Sequence, residues 1–479
     1  MGGGIIQLVA IGQQDTYITG NPEFTYFAMV FKRHTNFSME SIQLAFDTKP
    51  TLDTGGTFVC TIGRHADLMK DIYLSYRLPD IYSDDVLQFQ WIQNVANYMV
   101  LSYSINVDQQ AIDTQWGEWM DIWNELTMPT AKRATYDRMT GNTEEFVSPK
   151  AFADVAIVKS NWLSYSYYPA ATASSGPSIR GRRFYLPLNF WFCKTPALAF
   201  PLVALQYNVV TVSVTLRPVT ELYQVFDRTI GRYVSPAYFM SRHFNESDPL
   251  SADVGIGRFL VPPSEAKTKP KSTSIDIDAY LEVNYIYLDT PEQYAVASQP
   301  QDFLIERVSR VDAGEFIGSA TITLPVHNPV KELVWITRRS DIFKYNDWAN
   351  FTNSVPYDGE TGILKSGRIL FNGTDRLSEK DADYFNLLQP YQHHTNSPRQ
   401  GVYCYSFALF PEKPTPSGTA NFSMINNVDL SLTFNPNLPT ISTTESVTTS
   451  YGYNVIVYAI SYNIFRVMSG AGGIVFAPQ

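Results

Sequence analysis

Residues Asn208–Leu216 read NVVTVSVTL, and residues Asn426–Phe434 read NNVDLSLTF. In both stretches every second residue from the third onward is apolar, and the residues between are polar. A period of two is typical of a β-strand with one buried and one exposed face. The two stretches align without a gap, so that Ser213 matches Ser431. The sequence therefore predicts the same half-buried strand in each half of the chain.

Further matches between the two halves follow in the same order along the chain. The matched segments are GTFVCTI (56–62) with GSATITL (318–324), KDIYLSYR (70–77) with KELVWITR (331–338), and FYLPLNFWFCKTP (184–196) with VYCYSFALFPEKP (402–414). One such match could be chance, because strands use a small alphabet, but an ordered series favours duplication. Several strands with turn residues between them are typical of antiparallel sandwiches. We therefore predict a duplicated all-β unit.

The composition excludes several classes of protein. The chain of 479 residues has a formal net charge of −10, which opposes binding to a phosphate backbone. Its cysteines, Cys60, Cys193 and Cys404, lie too far apart in sequence for a disulfide framework, so we expect a reducing compartment. The start MGGGIIQLVAIG lacks the features of a signal peptide, and no apolar run has membrane-spanning length. We expect a soluble protein.

One segment has a clear helical period. In DTQWGEWMDIWNEL (113–126) we expect a helix capped by Asp113 or Thr114. The residues expected on its apolar face are Trp116, Trp119, Met120 and Trp123. Four such side chains at this spacing could form a platform for a ligand, but packing in a core is the favoured interpretation.

Two further helices and two long loops are predicted. SEKDADYFNLLQ (378–389) should be a helix capped by Ser378 and ended by Pro390, with Tyr384, Leu387 and Leu388 on one side. DTPEQYAVAS (289–298) should be a helix with Pro291 in its first turn. The stretches Pro129–Ser178 and Thr220–Ser274 are poor in strand patterns, and we expect long, functional surface loops there.

Residues that could perform chemistry are sparse. The six histidines are His34, His65, His243, His327, His393 and His394. His393 and His394 are adjacent and would point opposite ways on a strand, so we interpret both as surface loop residues without a metal role. Asp276 and Asp278 are interpreted as polar residues on a strand at the rim of a sheet. The nucleotide, hydrolase and redox motifs are missing. We expect no catalytic, cofactor-binding or metal-binding residues, and no enzyme.

At this point several segments resemble a known family. GNPEFTYFAMVFKRHTNFSMESI (20–42), WGEWMDIWNELT (116–127) and CYSFALFPEKPTPSGTANFSMINNVDLSL (404–432) are similar to the major capsid proteins of nucleocytoplasmic large DNA viruses. The string PSGTANFS (416–423) is the most specific of these signatures. The family resemblance suggests structural signature residues at Asn21, Pro22, Thr35, Asn36, Phe37, Pro416, Ser417, Gly418, Asn421 and Phe422.

The resemblance implies an architecture and a role. It implies two consecutive eight-stranded antiparallel jelly rolls, with an N-terminal arm at 1–22, the first jelly roll at 23–293 and the second at 294–479. It implies a homotrimeric, pseudo-hexagonal capsomer that tiles an icosahedral virion shell and is assembled in the host cytoplasm. The implied partners are neighbouring capsomers, minor capsid and penton proteins and an inner-membrane protein, without direct nucleic-acid binding. The alternatives are a minor capsid paralogue, or a carbohydrate-binding or metal-dependent β-sandwich enzyme.

The cationic run Lys32, Arg33 and His34 lies between aromatic residues near the N-terminus. An arm that binds phosphate would carry many more cations. We therefore favour a structural latch, in which Asn21-Pro22 turns the chain into the first sandwich, the aromatic side chains enter the core and the cations pair with carboxylates. Contact with a genome or an inner membrane is the less favoured alternative.

Overall fold

The computed structural model describes residues 2–29, 31–83, 87–149, 177–243, 254–261, 275–438 and 451–476. None of the helices in these ranges combines the length and the apolar character needed to cross a membrane. The strands of the first half are β1 (Phe37–Ala45), β2 (Gly56–Thr61), β3 (Leu68–Arg77), β4 (Phe89–Trp91), β5 (Val100–Val107), β6 (Gln110–Trp116), β7 (Arg183–Pro187), β8 (Val210–Leu216), β9 (Tyr223–Asp227), β10 (Arg232–Val234) and β11 (Tyr280–Leu288).

The strands of the second half are β12 (Gln301–Phe316), β13 (Ser319–Thr323), β14 (Pro329–Arg339), β15 (Leu364–Phe371), β16 (Thr374–Asp381), β17 (Val402–Ser406), β18 (Ala420–Asn421), β19 (Val428–Phe434), β20 (Tyr453–Met468) and β21 (Ala471–Ile474). The α-helices are α1 (Gly3–Val9), α2 (Gln13–Thr19), α3 (Val95–Met99), α4 (Gly117–Thr127), α5 (Thr130–Thr140), α6 (Glu144–Val147), α7 (Pro236–His243), α8 (Ile256–Phe259), α9 (Thr290–Ser298) and α10 (Gln389–His393).

Each half is built on two four-stranded antiparallel sheets with the same strand order. In the first half the sheets run β1-β11-β3-β7 and β2-β8-β5-β6. In the second half they run β12-β20-β14-β17 and β13-β19-β15-β16, with β18 and β21 added to the first of these. The eight strands of these two sheets can be numbered 1 to 8 in chain order in each half, leaving out β4, β9, β10, β18 and β21. In both halves the two sheets then have the strand orders 1-8-3-6 and 2-7-4-5. The predicted double jelly roll is confirmed.

The alternating stretches behave as predicted. β8 and β19 are the seventh strands of their sandwiches, and each lies between two neighbours in its sheet. In both strands the first, third, fifth and seventh residues are buried and the residues between them are half-buried. The other matched segments also fall on equivalent strands, namely β2 with β13, β3 with β14 and β7 with β17. The period of two therefore reports the real division between core and outer face.

The stretch Thr220–Ser274 is richer in structure than predicted. β9 and β10 lie within it and form a three-stranded sheet with β4, so the expectation of a strand-poor loop is wrong there. These strands have only three to five residues, too few to show an alternation. In Pro129–Ser178 the structure describes helices α5 and α6. Three parts of the predicted loops, 150–176, 244–253 and 262–274, lie outside the described residues.

The tryptophan-containing helix begins later than predicted. Asp113 and Thr114 lie in strand β6, which continues to Trp116, and α4 begins at Gly117 without a side-chain cap. Strand β6 forms because its residues pair with β5 across a tight turn, a contact that helical periodicity does not reveal. A Cβ atom at Gly117 would overlap the backbone oxygens of Asn97 and Val100, so only glycine fits where strand becomes helix.

The second predicted helix is also wrong in its bounds and its face. Ser378 lies in strand β16, a π-helical turn covers Tyr384–Leu388, and Pro390 lies within the first turn of α10 instead of ending a helix. Phe385 is buried, whereas Leu387 and Leu388 are 51% and 42% exposed. The third predicted helix is confirmed as α9, in which the Asp289 side chain accepts a hydrogen bond from the backbone of Thr290.

Candidate functional site: the junction of the sandwiches and the exposed arm

Helix α4 is buried on all sides between the two sandwiches. Every residue from Gly117 to Leu126 is buried. Met120 packs into the core of the first sandwich, while the opposite side of the helix packs against the second. The residues of that second contact are Trp119, Ile122, Trp123 and Leu126 from the helix and Val334, Ile336, Phe351, Val402, Cys404, Ile456, Tyr458 and Ile460 from the second half. The interpretation of the tryptophans as core packing is confirmed.

Aromatic contacts give this junction a defined geometry. The rings of Trp119 and Trp123 stack with centroids 5.4 Å apart, and Trp119 also lies 5.0 Å from the ring of Tyr458. Aromatic pairs at such distances add about 0.5–1.5 kcal/mol each beyond their buried area. The helix therefore packs in a fixed orientation against both sandwiches.

Carboxylates of α4 bind arginines of the second half. Glu118 Oε1 accepts a hydrogen bond of 2.6 Å from Arg338, and Glu118 Oε2 accepts one of 2.8 Å from the Tyr458 hydroxyl. Arg399 binds Asp121 through a short ion pair, and Glu125 lies 3.4 Å from its guanidinium. These directional contacts restrict how the second sandwich can sit on the helix.

Burial sets the protonation of this network. Burial raises the pKa of Asp121, and the guanidinium of Arg399 offsets this only in part. Burial by itself would lower the pKa of Arg399, but the carboxylates of Asp121 and Glu125 raise it. Arg399 therefore stays charged, and the stability of Asp121 as a carboxylate depends on it.

A second buried ion cluster lies beside α4. Glu306 of β12 pairs with Lys194 of the first half and, at 2.5 Å, with Lys331 of β14. Lys331 also donates to the backbone oxygen of Pro411 at 2.6 Å. Burial, with the nearby charge of Lys194, lowers the pKa of Lys331 to about 8. The cluster ties the segment that follows β7 to the second sandwich.

His394 lies in a buried polar cluster of the second sandwich, so its interpretation as a surface residue is wrong. Its Nε2 atom is 2.6 Å from Glu332 Oε1, and its Nδ1 atom is 3.1 Å from Glu412 Oε1. Burial opposes the charged imidazole, but the carboxylate of Glu332 outweighs burial and raises the pKa of His394 to about 12. The thiol of Cys404 lies beside the ring. His393, the last residue of α10, is only partly covered.

Sequence reasoning could not find this cluster. Glu332 lies in β14, His394 lies in the segment after α10, and Cys404 lies in β17. They are brought together only by the pairing of β14 with β17 and the return of the chain after α10. No local spacing links these residues, because each belongs to a different element.

Asp276 and Asp278, which the sequence placed at the rim of a sheet, are surface residues. Asp276 pairs with Lys49 at 2.5 Å and Asp278 pairs with Arg183, and both aspartates are exposed. They precede strand β11, which begins at Tyr280, so their placement within a strand is wrong, while their position at the rim holds. They bind cations of their own chain and do not face each other across a cleft.

The described residues of the N-terminal arm and of the segment after it, up to residue 40, are not covered by the rest of the chain. Residues 2–29 and 31–40 are all exposed, including helices α1 and α2. Before strand β1, the exposed large apolar side chains are Ile5, Ile6, Leu8, Val9, Ile11, Tyr17, Ile18, Phe24, Tyr26, Phe27, Met29 and Phe31. So large an uncovered apolar surface is typical of a segment that is buried against another molecule.

The latch hypothesis is wrong within this chain. The aromatic residues of the arm do not enter the core, and Phe27 is 99% exposed. Among the described residues, no carboxylate lies within ion-pair distance of Lys32 or Arg33. Asn21 does adopt a left-handed backbone conformation with φ 52°, consistent with a change of chain direction. The first strand begins at Phe37, and the described residues before it do not pack on either sandwich of this chain.

The segment PSGTANFS closes an edge of the second sandwich. Ser417 accepts a backbone hydrogen bond from Phe410 at 2.9 Å, and Gly418 has a φ of 129° that other residues rarely adopt. Asn421 pairs with β14, and its side chain accepts from the Ser423 backbone at 3.1 Å. Phe422 is buried in the second core. The contacts of this segment are turn, strand and core contacts.

Comparisons with known proteins agree with this architecture. A family model described as major capsid protein N-terminus matches residues 25–289, and one described as large eukaryotic DNA virus major capsid protein matches residues 292–473. The chain is 31% identical to a major capsid protein of Phaeocystis pouchetii virus and 29% identical to that of Paramecium bursaria Chlorella virus 1. Both alignments cover 100% of this chain and 100% of the relative.

Solved structures show the same fold. A chain of the PBCV-1 virus capsid, in a quasi-atomic model, superposes with a TM-score of 0.67 at 25% identity, covering 95% of this chain and 100% of the other. The Faustovirus major capsid protein superposes with a TM-score of 0.64 at 13% identity, covering 96% of this chain and 94% of the other. At that low identity the second likeness supports the fold alone.

Proposed function

This chain belongs to the family of large eukaryotic DNA virus major capsid proteins, and we propose that three copies of it close into one capsomer with a pseudo-hexagonal outline. The family is structural, so the chain is a virion component and not an enzyme. The proposal concerns how this building block assembles.

The observation that carries the proposal is the shared strand order of the two sandwiches. One chain supplies two units of the same topology, and α4 holds them together as a rigid pair. Three such chains around one axis place six similar units in a ring. A three-fold assembly then has a nearly six-sided outline, which tiles a flat lattice and suits an icosahedral shell.

The trimer is tested by the mass of the purified protein in solution. Light scattering at micromolar concentration should give three times the mass of one chain, and negative-stain images should show six-sided particles. Permanent interfaces of this kind commonly bury roughly 2,000–5,000 Å². A well-folded protein that remains monomeric at that concentration would overturn the proposal.

We propose that the N-terminal arm contacts a neighbouring component. Its apolar side chains have no cover in their own chain, and every sandwich strand lies downstream of it. Deletion of residues 2–19 should leave the fold and the trimer intact, while lattice assembly fails or slows. Circular dichroism and light scattering check the first part, and assembly followed by turbidity checks the second. Loss of the trimer on deletion would instead assign the arm to folding of the capsomer.

The remaining roles extend this proposal. We propose neighbouring capsomers, minor capsid proteins, penton proteins and an inner-membrane protein as partners, without direct nucleic-acid binding, and assembly in the host cytoplasm. We further propose the division into an arm at 1–22, a first jelly roll at 23–293 and a second at 294–479. The family signatures at 21–22, 35–37, 416–418 and 421–422 are proposed to serve structure, since those of the second half make turn, strand and core contacts.

A further inference from the structure

We propose that Glu332, His394 and Cys404 bind one zinc-like divalent transition-metal ion in the second sandwich. Within the described residues, one potential ligand atom from each of these three side chains lies within 4.8 Å of the other two. An imidazole nitrogen, a thiolate sulfur and a carboxylate oxygen are the three donor types that Zn²⁺ prefers. This inference does not depend on the proposed capsomer.

The local fold places these donors on one face of one sheet. Glu332 is opposite Ser406 and Val334 is opposite Cys404 in the pairing of β14 with β17. Glu332 and Cys404 are therefore diagonal neighbours whose side chains point the same way, towards α4. His394 comes over this face from the segment after α10, and its ring lies 6.1 Å from that of Trp123.

The cluster is closed to solvent. The side chains of Glu332 and His394 have no exposed surface, and Cys404 is 1% exposed. Structural zinc sites are closed in this way and have four protein donor atoms, and the second oxygen of Glu332, which is buried without a hydrogen-bond partner, is available for the fourth position. A bound ion here would join β14, β17 and the segment after α10, next to helix α4. Its role would be structural and not catalytic.

Two further observations point to a ligand. Glu332 Oε2 is buried without a hydrogen-bond partner, which is costly for a carboxylate oxygen unless something binds it. The other ring nitrogen of His394 faces Glu412, whose oxygens accept from the backbone and the hydroxyl of Thr395 at 2.7 and 2.6 Å. A carboxylate held behind a metal-binding histidine is the usual means of orienting its ring.

Binding requires a small movement. His394 Nε2 and Glu332 Oε1 are 2.6 Å apart, whereas two ligands of one tetrahedral zinc ion, with bonds of about 2.0–2.1 Å, are separated by roughly 3.3 Å. The ion would enter between these two atoms and displace the proton that they share, together with the thiol proton of Cys404. The exchange of two protons for one divalent cation leaves the charge of the buried cluster unchanged.

The test uses the purified full-length protein and cobalt(II) as a probe, followed by zinc. Cobalt should bind with one equivalent per chain and give a thiolate-to-cobalt charge-transfer band, and zinc should displace it. Cys404→Ser should abolish the band and weaken zinc binding at least tenfold. Cys60→Ser is the matched control, because Cys60 is also buried but lies in strand β2 of the first sandwich. This control should bind metal as the unaltered protein does.

A positioning role for Glu412 is tested by Glu412→Gln, which should weaken zinc binding about 10–100-fold while the cobalt band remains. If Cys404→Ser fails to fold, X-ray absorption of the zinc-loaded unaltered protein decides, and it should show one sulfur at about 2.3 Å. Absence of stoichiometric binding, a cobalt spectrum without the thiolate band or equal binding by both cysteine variants would overturn the proposal. The cluster would then be a buried ion triad alone.

Discussion

Replacement of Arg399 by methionine should remove the cation of the second half that pairs with Asp121 and Glu125 of α4. The guanidinium binds Asp121, lies 3.4 Å from Glu125 and stands 4.9 Å from the ring centre of Phe351. Methionine fills much of the same volume but leaves Asp121 buried without a cation. Breaking a buried ion pair from one side costs about 3–5 kcal/mol at neutral pH.

The cost should depend on pH in a defined direction. Burial already raises the pKa of Asp121, and loss of Arg399 removes the charge that holds this pKa down. A carboxyl whose pKa in the folded state lies above its unfolded value of about 3.9 stabilises the fold fully only below that value. Its contribution is lost as pH rises through the folded pKa. The deficit of Arg399→Met should therefore be small near pH 4 and large at pH 7–8.

Scanning calorimetry of the variant and the unaltered protein measures this effect. With an unfolding entropy of about 2.1 cal/mol/K per residue, a loss of 3–5 kcal/mol lowers the Tm by about 3–5 °C at pH 7.5 if the whole chain unfolds in one step. Arg466→Met is the matched control, because Arg466 binds Asp302 through two contacts of 2.7 Å with both side chains about half exposed. Exposed pairs contribute about 0–1 kcal/mol. Equal losses in the two variants, or a deficit for Arg399→Met that does not change with pH, would refute the reasoning.

The strand register and the start of α4 give further predictions. Val212→Asp should cost several kcal/mol, because it buries an unpaired charge, whereas Ser213→Asp on the half-buried face should cost much less; equal urea midpoints would show that the register is wrong. Leu430→Asp and Ser431→Asp should repeat this contrast in the second sandwich. Gly117→Ala should lower the Tm, because the added Cβ overlaps two backbone oxygens, and this cost exceeds the small stabilisation that alanine usually gives a helix. An unchanged Tm would contradict this.

The strands of the core were predictable because their pattern is local. In β8 and β19 the alternation of apolar and polar residues is the same as the alternation of buried and half-buried positions. The duplication followed from the order of such segments, and the sheet order agrees with it. Where strands are as short as β10, or buried on both faces as in most of β14, the alternation is weak and the pattern carries little information.

The errors arose where distant residues decide the outcome. Asp113 and Thr114 lie in a strand because β5 pairs with them, although the following residues do form a helix. His394 is buried because β14 and β17 bring Glu332 and Cys404 under it, which no spacing in the sequence reveals. The aromatic residues of the arm were expected in the core because apolar side chains usually are, yet within one chain they lie outside it.

The carboxylates of α4 show how one helix can fix two sandwiches relative to each other. Glu118, Asp121 and Glu125 are spaced at i, i+3 and i+7, a pattern that usually marks a solvent-facing side of a helix. Here that side is buried, and its partners are Arg338 and Arg399 of the second half. Apolar contacts alone would allow the second sandwich to slide on the tryptophan face, because such contacts are not directional. Charged hydrogen bonds are directional, and each leaves a buried charge unpaired if the sandwiches shift. These ion pairs therefore restrict the angle between the two jelly rolls, on which a six-sided outline would depend, in a way that the apolar contacts alone do not.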